Sequence, residues 1–393
     1  MKKTCGFFTN IAPLYSRTMW YELSASKEVN YFFYSSRYGF SGIKTIDITE
    51  SKFVNETGIL KWRFLKNVLI FNTLFWQTGI ISKCLNTNYD VYILYGEMHN
   101  LSNWIAALIC RIRKRPVLFW GHGFYGNERF VKKNIRTLFY KIADYHLVYG
   151  NRSKNLMIGS GFNPDKIYVV YNSLDYSLHK KLYEERNQDD LEKLKTQLFP
   201  NKSEFPIVLF IGRLTKEKKI AYLLEAIWLS KKKGNNYNCL IVGVGSELEK
   251  LRELSKRYEI SDSVCFYGSS YDENINAKLI MLSECCVSPG NVGLTAIHSL
   301  SLGTPVITHC NWFNQGPEVE AVIQNETGLF FEENDVVSLS AVIDDLVIKR
   351  KKLLMETNCI KQVKKFWNPM KQAAVFDSAI LDSIKASNAL LSK

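Results

Sequence analysis

The sequence predicts an α/β protein built from two doubly wound domains in tandem. Short β-branched or aromatic runs alternate with helix-length segments along the chain, the pattern of parallel strands covered by helices on both faces. The alternation lapses at a polar stretch, residues 185–204, and then restarts. The length, 393 residues, suits two domains of roughly 100–200 residues each.

The first strand is Cys5–Ile11, followed by a loop at Ala12–Tyr15 and a helix from Arg17 to about Ser26. The basic start is joined to an apolar stretch that is short and lacks a small-residue cleavage site. It is expected to be a strand and not a signal peptide. Further strands are expected at Val29–Tyr34, Val91–Tyr95, Pro116–Trp120, Tyr145–Tyr149 and Ile167–Tyr171. The segment Lys61–Trp76 departs from the pattern. It is interrupted by Asn72 and Thr73 and falls short of the ~20 apolar residues that span a bilayer. It reads as a helix, either buried in the first domain or lying in a membrane interface on basic and Trp anchors.

Glu185–Asp190, a charged helix and Pro200–Ser203 form the linker candidate. Strands resume at Ile207–Ile211, Leu240–Val242, Val264–Tyr267, Cys285–Ser288, Pro305–Thr308 and Gly328–Phe331. The expected division is a first domain over 1–184, a linker over 185–204 and a second domain over 205–360. A C-terminal helix over 361–393 is expected to pack back on the first domain.

Composition narrows the function classes. Hydrophobic residues at 46% and charged residues at 23% exclude disordered and fibrous chains. Nine cysteines, an odd number without Cys-x-x-Cys, argue against a disulfide scaffold or zinc ribbon. Residues 1–180 hold 24 of the 51 basic and 11 of the 38 acidic residues, so the whole excess of +13 falls there. Such a half attracts an anionic membrane, a phosphorylated substrate or nucleic acid. Arg111–Arg115 is the one dense basic run and no RNA-binding motif accompanies it, so nucleic acid is not an expected partner.

Three loops carry candidate chemistry. Gly212-Arg213-Leu214-Thr215-Lys216-Glu217-Lys218 follows the first strand of the second domain. It sets two cations at the carboxyl edge of a parallel sheet, where such sheets bind ligands. Arg offers a fork and Lys a point charge, a pair suited to a diphosphate; a solvated basic loop would have the same composition. Gly243-Val244-Gly245 follows another strand and admits close backbone approach by a ligand, or simply makes a tight turn. In Ser288–His298 a strand ends, a Gly-bounded loop follows, and a helix opens near Leu294. Free amides there, Gly293 and Thr295 among the loop residues, suit phosphate oxygens. His298 is either a site residue on the first turn or a packed helix residue.

The order GRLTKEKK, GVGSELEKL, VCFYG, SPGNVGLTAIHSLSLGTPVIT and GPEVEAVIQNETGLFFEEND resembles glycosyltransferase family 4, retaining enzymes of GT-B fold that use sugar nucleotides. The resemblance covers most of residues 205–345. Trp120-Gly121-His122-Gly123 and Asn172-Ser173-Leu174-Asp175 look like the family's His-Gly loop and crossover element. The resemblance implies two Rossmann-like domains facing a central cleft. Arg213 and Lys218 would bind the donor diphosphate, with Gly212, Gly243, Gly245 and Gly293 shaping the loops. Leu294 and Thr295 would support the distal phosphate, His298 would reach the ribose, and His122 would face the reacting sugar. Catalytic roles thus fall to His122, Arg213 and Lys218. The role of Glu318 in Gly316-Pro317-Glu318 is left open.

The chain departs from the family where two glutamates separated by seven residues are usual. Gly290 and His298 stand in their places, which points to a donor with fewer hydroxyls, such as a thymidine-diphosphate deoxy-sugar. No cofactor or metal is expected beyond the nucleotide-diphosphate sugar as co-substrate, since cations take the diphosphate and Asp-x-Asp is missing. The expected acceptor is a saccharide, lipid-linked, in envelope polysaccharide synthesis. The expected location is cytoplasmic, on the inner face of the plasma membrane. A GT-B binding or scaffold subunit without catalysis is the alternative.

Overall fold

The computed structural model describes residues 2–37, 44–46, 54–55, 58–59, 62–71 and 73–391. The chain forms two units, Met1–Asp175 with Asn368–Lys393, and Tyr176–Trp367. The boundary therefore falls at Asp175 and not at 184. The expected linker holds a helix of the second unit, Gln188–Leu198, whose cap Asn187 accepts from the amides of Asp189 and Asp190.

The first unit contains β1 (Lys3–Ile11), α1 (Arg17–Ser24), β2 (Val29–Ser36), a short β3–β4 pair (Val54–Asn55, Gly58–Ile59), β5 (Trp62–Ile70) and β6 (Leu74–Thr78). It continues through α2 (Ile80–Asn86), β7 (Val91–Tyr95), α3 (Leu101–Ile112), β8 (Val117–Gly121), α4 (Phe130–Tyr140), β9 (Tyr145–Val148), α5 (Asn151–Ile158) and β10 (Ile167–Val169). The sheet order is β10-β9-β8-β7-β1-β2-β5-β6. All neighbours are parallel except the terminal β5–β6 pair.

Side chains alternate between faces with the period of two that strands impose. Phe7 joins Trp20, Phe33, Trp62 and Trp120 on one face, while Phe8 joins Tyr34, Tyr92 and Phe119 on the other. The first face is closed by the returning C-terminal segment, which contributes Phe376, Ile380 and Ile384. Asp377 on that segment accepts from the hydroxyls of Ser26 and Tyr31. Gln372 holds the crossover, accepting from Ser173 Oγ at 2.6 Å and donating to Tyr171 O.

The expected helix over 61–76 is instead the β5–β6 hairpin, running Lys66↔Thr78 to Ile70↔Leu74. Trp62 is no interfacial anchor, because it is buried against Trp20 and Phe33 and donates to Ser35 Oγ. Lys61 lies outside the described residues. Polar residues that break a helical pattern here serve the sheet edge. Gln77 donates to Thr9 O, and Asn67 to Asn10 O.

The second unit begins with α6 (Tyr176–Glu184) and α7 (Gln188–Leu198). It continues with β11 (Ile207–Ile211), α8 (Ile220–Lys232), β12 (Asn238–Val242), α9 (Leu248–Arg257), β13 (Val264–Gly268), α10 (Glu273–Met281) and β14 (Cys285–Ser288). Then come α11 (Thr295–Ser301), β15 (Val306–His309), β16 (Gly328–Phe331), α12 (Val336–Ile348) and α13 (Lys351–Phe366). Its all-parallel sheet runs β13-β12-β11-β14-β15-β16. Strand order reverses between β11 and β14, so the loops after these strands diverge and leave a crevice at their carboxyl ends. The last helix, α14 (Pro369–Leu391), belongs to the first unit.

Candidate donor site of the second unit

The loops after β11 and β14 bring the expected residues together. Lys218 Nζ donates to Asn291 O, tying the basic loop to the Gly-rich loop. Burial lowers the Lys218 pKa and the neighbouring Arg213 lowers it further, while Glu318 and Glu217 oppose the shift. Arg213 itself is exposed and forms no ion pair among the described residues. Two cations are thus held close, where an anion relieves their mutual repulsion.

Glycines set the close approaches. A Cβ on Gly243 would stand 1.9 Å from Gly212 O, and one on Gly245 2.2 Å from Leu214 O. These glycines therefore pack the loop after β12 against the loop after β11. At Gly290 a Cβ would lie 2.1 Å from Glu217 O. No side chain, and so no carboxylate, fits at 290 while the Lys218 loop is seated there.

Gly293 has φ of 56° and turns the chain into α11. Leu294 caps that helix, whose first amides lack intrahelical acceptors. Thr295 Oγ1 donates to Ile211 O at 3.2 Å and anchors the turn to β11. That hydroxyl is thus committed in part to the scaffold. Gln315, missed in the sequence, accepts from Val292 N at 3.0 Å and donates to Thr308 Oγ1 at 2.8 Å. Glu318 is buried close to Gly316 and electrostatically coupled to Lys218.

His298 lies at the middle of the seven-residue α11, where its first and last turns meet. Its Nε2 meets Glu273 Oε1 at 2.5 Å, and His179 Nε2 meets the same oxygen at 3.0 Å. The two imidazoles stack with centroids 4.9 Å apart, and His179 Nδ1 pairs with Ser301 Oγ at 2.8 Å. Burial alone would raise the Glu273 pKa, but hydrogen bonds from both histidines hold it well below the ordinary carboxylate range. Glu273 is therefore a fixed carboxylate, with about a third of its side chain (31%) open to solvent. Among the described residues nothing donates to its second oxygen. This cluster could also hold a divalent ion, since its ligand atoms lie within 4.8 Å of one another and imidazole with carboxylate suits zinc.

Lys219 supports the basic loop from behind. It adopts φ of 51°, and its Nζ reaches Glu333 Oε1 at 2.8 Å and Asn334 Oδ1 at 2.7 Å. Burial would raise the Glu333 pKa, but hydrogen bonds from Lys219, Asn311 and Asn314 bring it down to about 2. A depressed carboxylate stabilises the fold fully above its unfolded value near 4.5, and loses that contribution as pH falls toward 2. Glu333→Gln should flatten the fall in thermal stability between pH 5 and pH 2.5. An identical slope in wild type and variant would reject this role.

In the first unit His122 follows β8 in a loop of fixed backbone. Its carbonyl accepts from Ser153 Oγ at 2.7 Å, and buried Arg136 donates to Gly123 O at 2.7 Å. Glu128 accepts from the amides of Tyr125 and Gly126 and pairs with Arg136. The imidazole lies between the rings of Tyr125 and Tyr149, at 5.7 and 4.9 Å. Desolvation there lowers its pKa, against the opposing field of Glu97.

Two Rossmann-like units, one with a cation-lined loop at its switch point, define the GT-B class of α/β fold. Residues 192–366 match the family described as Glycosyl transferases group 1. A glycosyltransferase of Haemophilus influenzae is 27% identical over 187 residues, 47% of this chain and 52% of its own length. The lipopolysaccharide 1,6-galactosyltransferase of Escherichia coli is 24% identical over 261 residues, 59% of this chain and 66% of its own. The matches to these two relatives thus span between half and two thirds of their lengths. A crystal structure of Anabaena HepE in complex with UDP superposes with a TM-score of 0.70 at 14% identity, covering 98% of this chain and 100% of that one.

Proposed function

We propose that the chain transfers a sugar, with retention at the anomeric carbon, from a nucleoside-diphosphate sugar to a saccharide acceptor. The observation that carries this reading is the pairing of Arg213 with partly desolvated Lys218 beside the Gly293–Thr295 turn at the β11/β14 switch point. Preorganised cations there stabilise the diphosphate as the bond from the anomeric carbon to its oxygen breaks. The acceptor oxygen bonds to that carbon from the same face, and its proton passes to a phosphate oxygen. Gly212, Gly243, Gly245 and Gly293 shape the cradle.

Glu273 supplies the carboxylate missing at 290 and 298. His298 and His179 hold it, and its second oxygen accepts from the ribose hydroxyls. This replaces the expectation of a deoxynucleotide donor with a ribonucleotide, and the UDP in Anabaena HepE supports that direction. The similarity to the E. coli lipopolysaccharide enzyme supports an acceptor in envelope polysaccharide synthesis; in this reading the acceptor is lipid-linked and is met at the cytoplasmic face of the plasma membrane. No described helix is long and apolar enough to cross a membrane.

Catalysis in this reading needs no metal, because Arg213 and Lys218 take the diphosphate charge. Transfer should persist in EDTA. Activity lost in EDTA and restored by Mn²⁺ would reject metal independence, and restoration by Zn²⁺ alone would place an ion at the His179–Glu273–His298 cluster. The deciding experiment is a screen of nucleotide-sugars by thermal shift, then transfer or hydrolysis assays with the donors that bind. Binding without turnover on any acceptor or water would favour the scaffold alternative.

A further inference from the structure

Helices α3 and α4 pack side by side on one face of the first sheet, with Trp104 and Phe139 rings 4.9 Å apart. Their inward faces are complete. Ala106, Ala107 and Cys110 of α3 and Phe139 and Tyr140 of α4 are buried. Each helix carries a second apolar stripe that faces solvent. On α3 it is Ile105, Leu108 and Ile112, spaced at three and four residues, with Ile112 81% exposed. On α4, Phe130, Val131 and Leu138 are 79%, 68% and 62% exposed, and Ile135 is exposed between them. Stripes of this size on neighbouring helices mark an interaction surface.

The charge around the stripes has one sign. Residues 101–143 contain nine Lys/Arg and a single acid, Glu128. That acid is spent on Arg136 and two loop amides. Lys114, Arg129, Lys132 and Lys133 are exposed and form no ion pair among the described residues. A two-fold contact with a second copy would set the same patch against itself, bringing these cations together. An anionic bilayer takes both features, apolar side chains entering the headgroup boundary and ammonium groups meeting phosphates.

We infer that the α3–α4 face is a docking surface for anionic lipid. The surface is carried by α3 and α4, and not by the segment Lys61–Trp76 that the sequence suggested for this role. The inference deepens the reading of a lipid-linked acceptor, yet its test uses neither donor nor acceptor, so each can fail alone. The full chain is sedimented with vesicles of phosphatidylcholine containing 30% phosphatidylglycerol, with pure phosphatidylcholine vesicles, and in 0.5 M salt.

Binding is expected to anionic vesicles only, and to weaken in salt. Lys132→Glu with Lys133→Glu should lower the partition coefficient at least tenfold, and Phe130→Ser with Leu138→Ser should do so as well. Lys250→Glu with Lys349→Glu, on the second unit, should leave it unchanged. All six side chains are exposed, and melting temperatures within about 3 °C of wild type certify folding. Equal binding to neutral vesicles, or full binding by both α4 variants, overturns the proposal. A dimer in analytical ultracentrifugation that these α4 variants abolish, without anionic-vesicle binding by wild type, overturns it in favour of a self-interface.

Discussion

Arg213→Ala is expected to weaken nucleoside-diphosphate binding and transfer by about 10- to 150-fold, the equivalent of ~1.5–3 kcal/mol for a hydrogen bond to a charged group. Arg213 is exposed and unpaired among the described residues, so its loss should leave the fold intact. Lys218→Ala should lose at least as much, because Lys218 also holds Asn291 O and with it the Gly-rich loop. The nucleoside without phosphates is the control, since its weak binding should not change in Arg213→Ala. Isothermal titration of UDP and its nucleoside against both variants measures this. Unchanged diphosphate affinity in both would remove the cationic pair from the site.

The second large effect is expected at Glu273. If its free oxygen accepts from both ribose hydroxyls, wild type should prefer a ribonucleotide donor over its deoxy counterpart by tenfold or more, about 1.4 kcal/mol. Glu273→Gln should abolish most of that preference by slowing the ribonucleotide reaction and sparing the deoxy one. His298→Ala should act in the same direction but less, because His179 still holds the carboxylate at 3.0 Å. Removing Glu273 leaves a deeply buried imidazole short of a partner, which costs ~1–3 kcal/mol of stability. Kinetics are therefore compared only below the melting temperature of each variant. A deoxy donor used as well as the ribonucleotide by wild type would defeat the assignment. An unmoved preference in Glu273→Gln would return His298 and Glu273 to a packing role.

Local pattern made much of the protein legible. Each strand expected in the second half forms, because buried parallel strands read as short apolar runs that need no knowledge of their neighbours. The Arg213–Lys218 loop and the Gly293 turn were legible for a related reason. Each is a contiguous motif at a strand end, and the strand order delivers both to one switch point. The hairpin at 62–78 was not legible, since short mixed runs carry no decisive period and edge pairing is a long-range event. Polar Asn67 and Gln77 argue against a strand until their acceptors on β1 are seen.

By itself the sequence determined the strand order along the second half, the basic first half and the cationic loop, because these depend on neighbours in the chain. Tertiary structure alone decided the domain boundary at Asp175, where the returning C-terminal segment closes the first core. It alone decided that Gly290 has no room for a side chain and that Glu273 meets His298, 25 positions away, and His179 on a third helix. It alone left the outer stripes of α3 and α4 uncovered. The physical reason is common to all of these. Steric exclusion, charge pairing and solvent exposure depend on distances between segments far apart in sequence, and only the folded chain sets those distances.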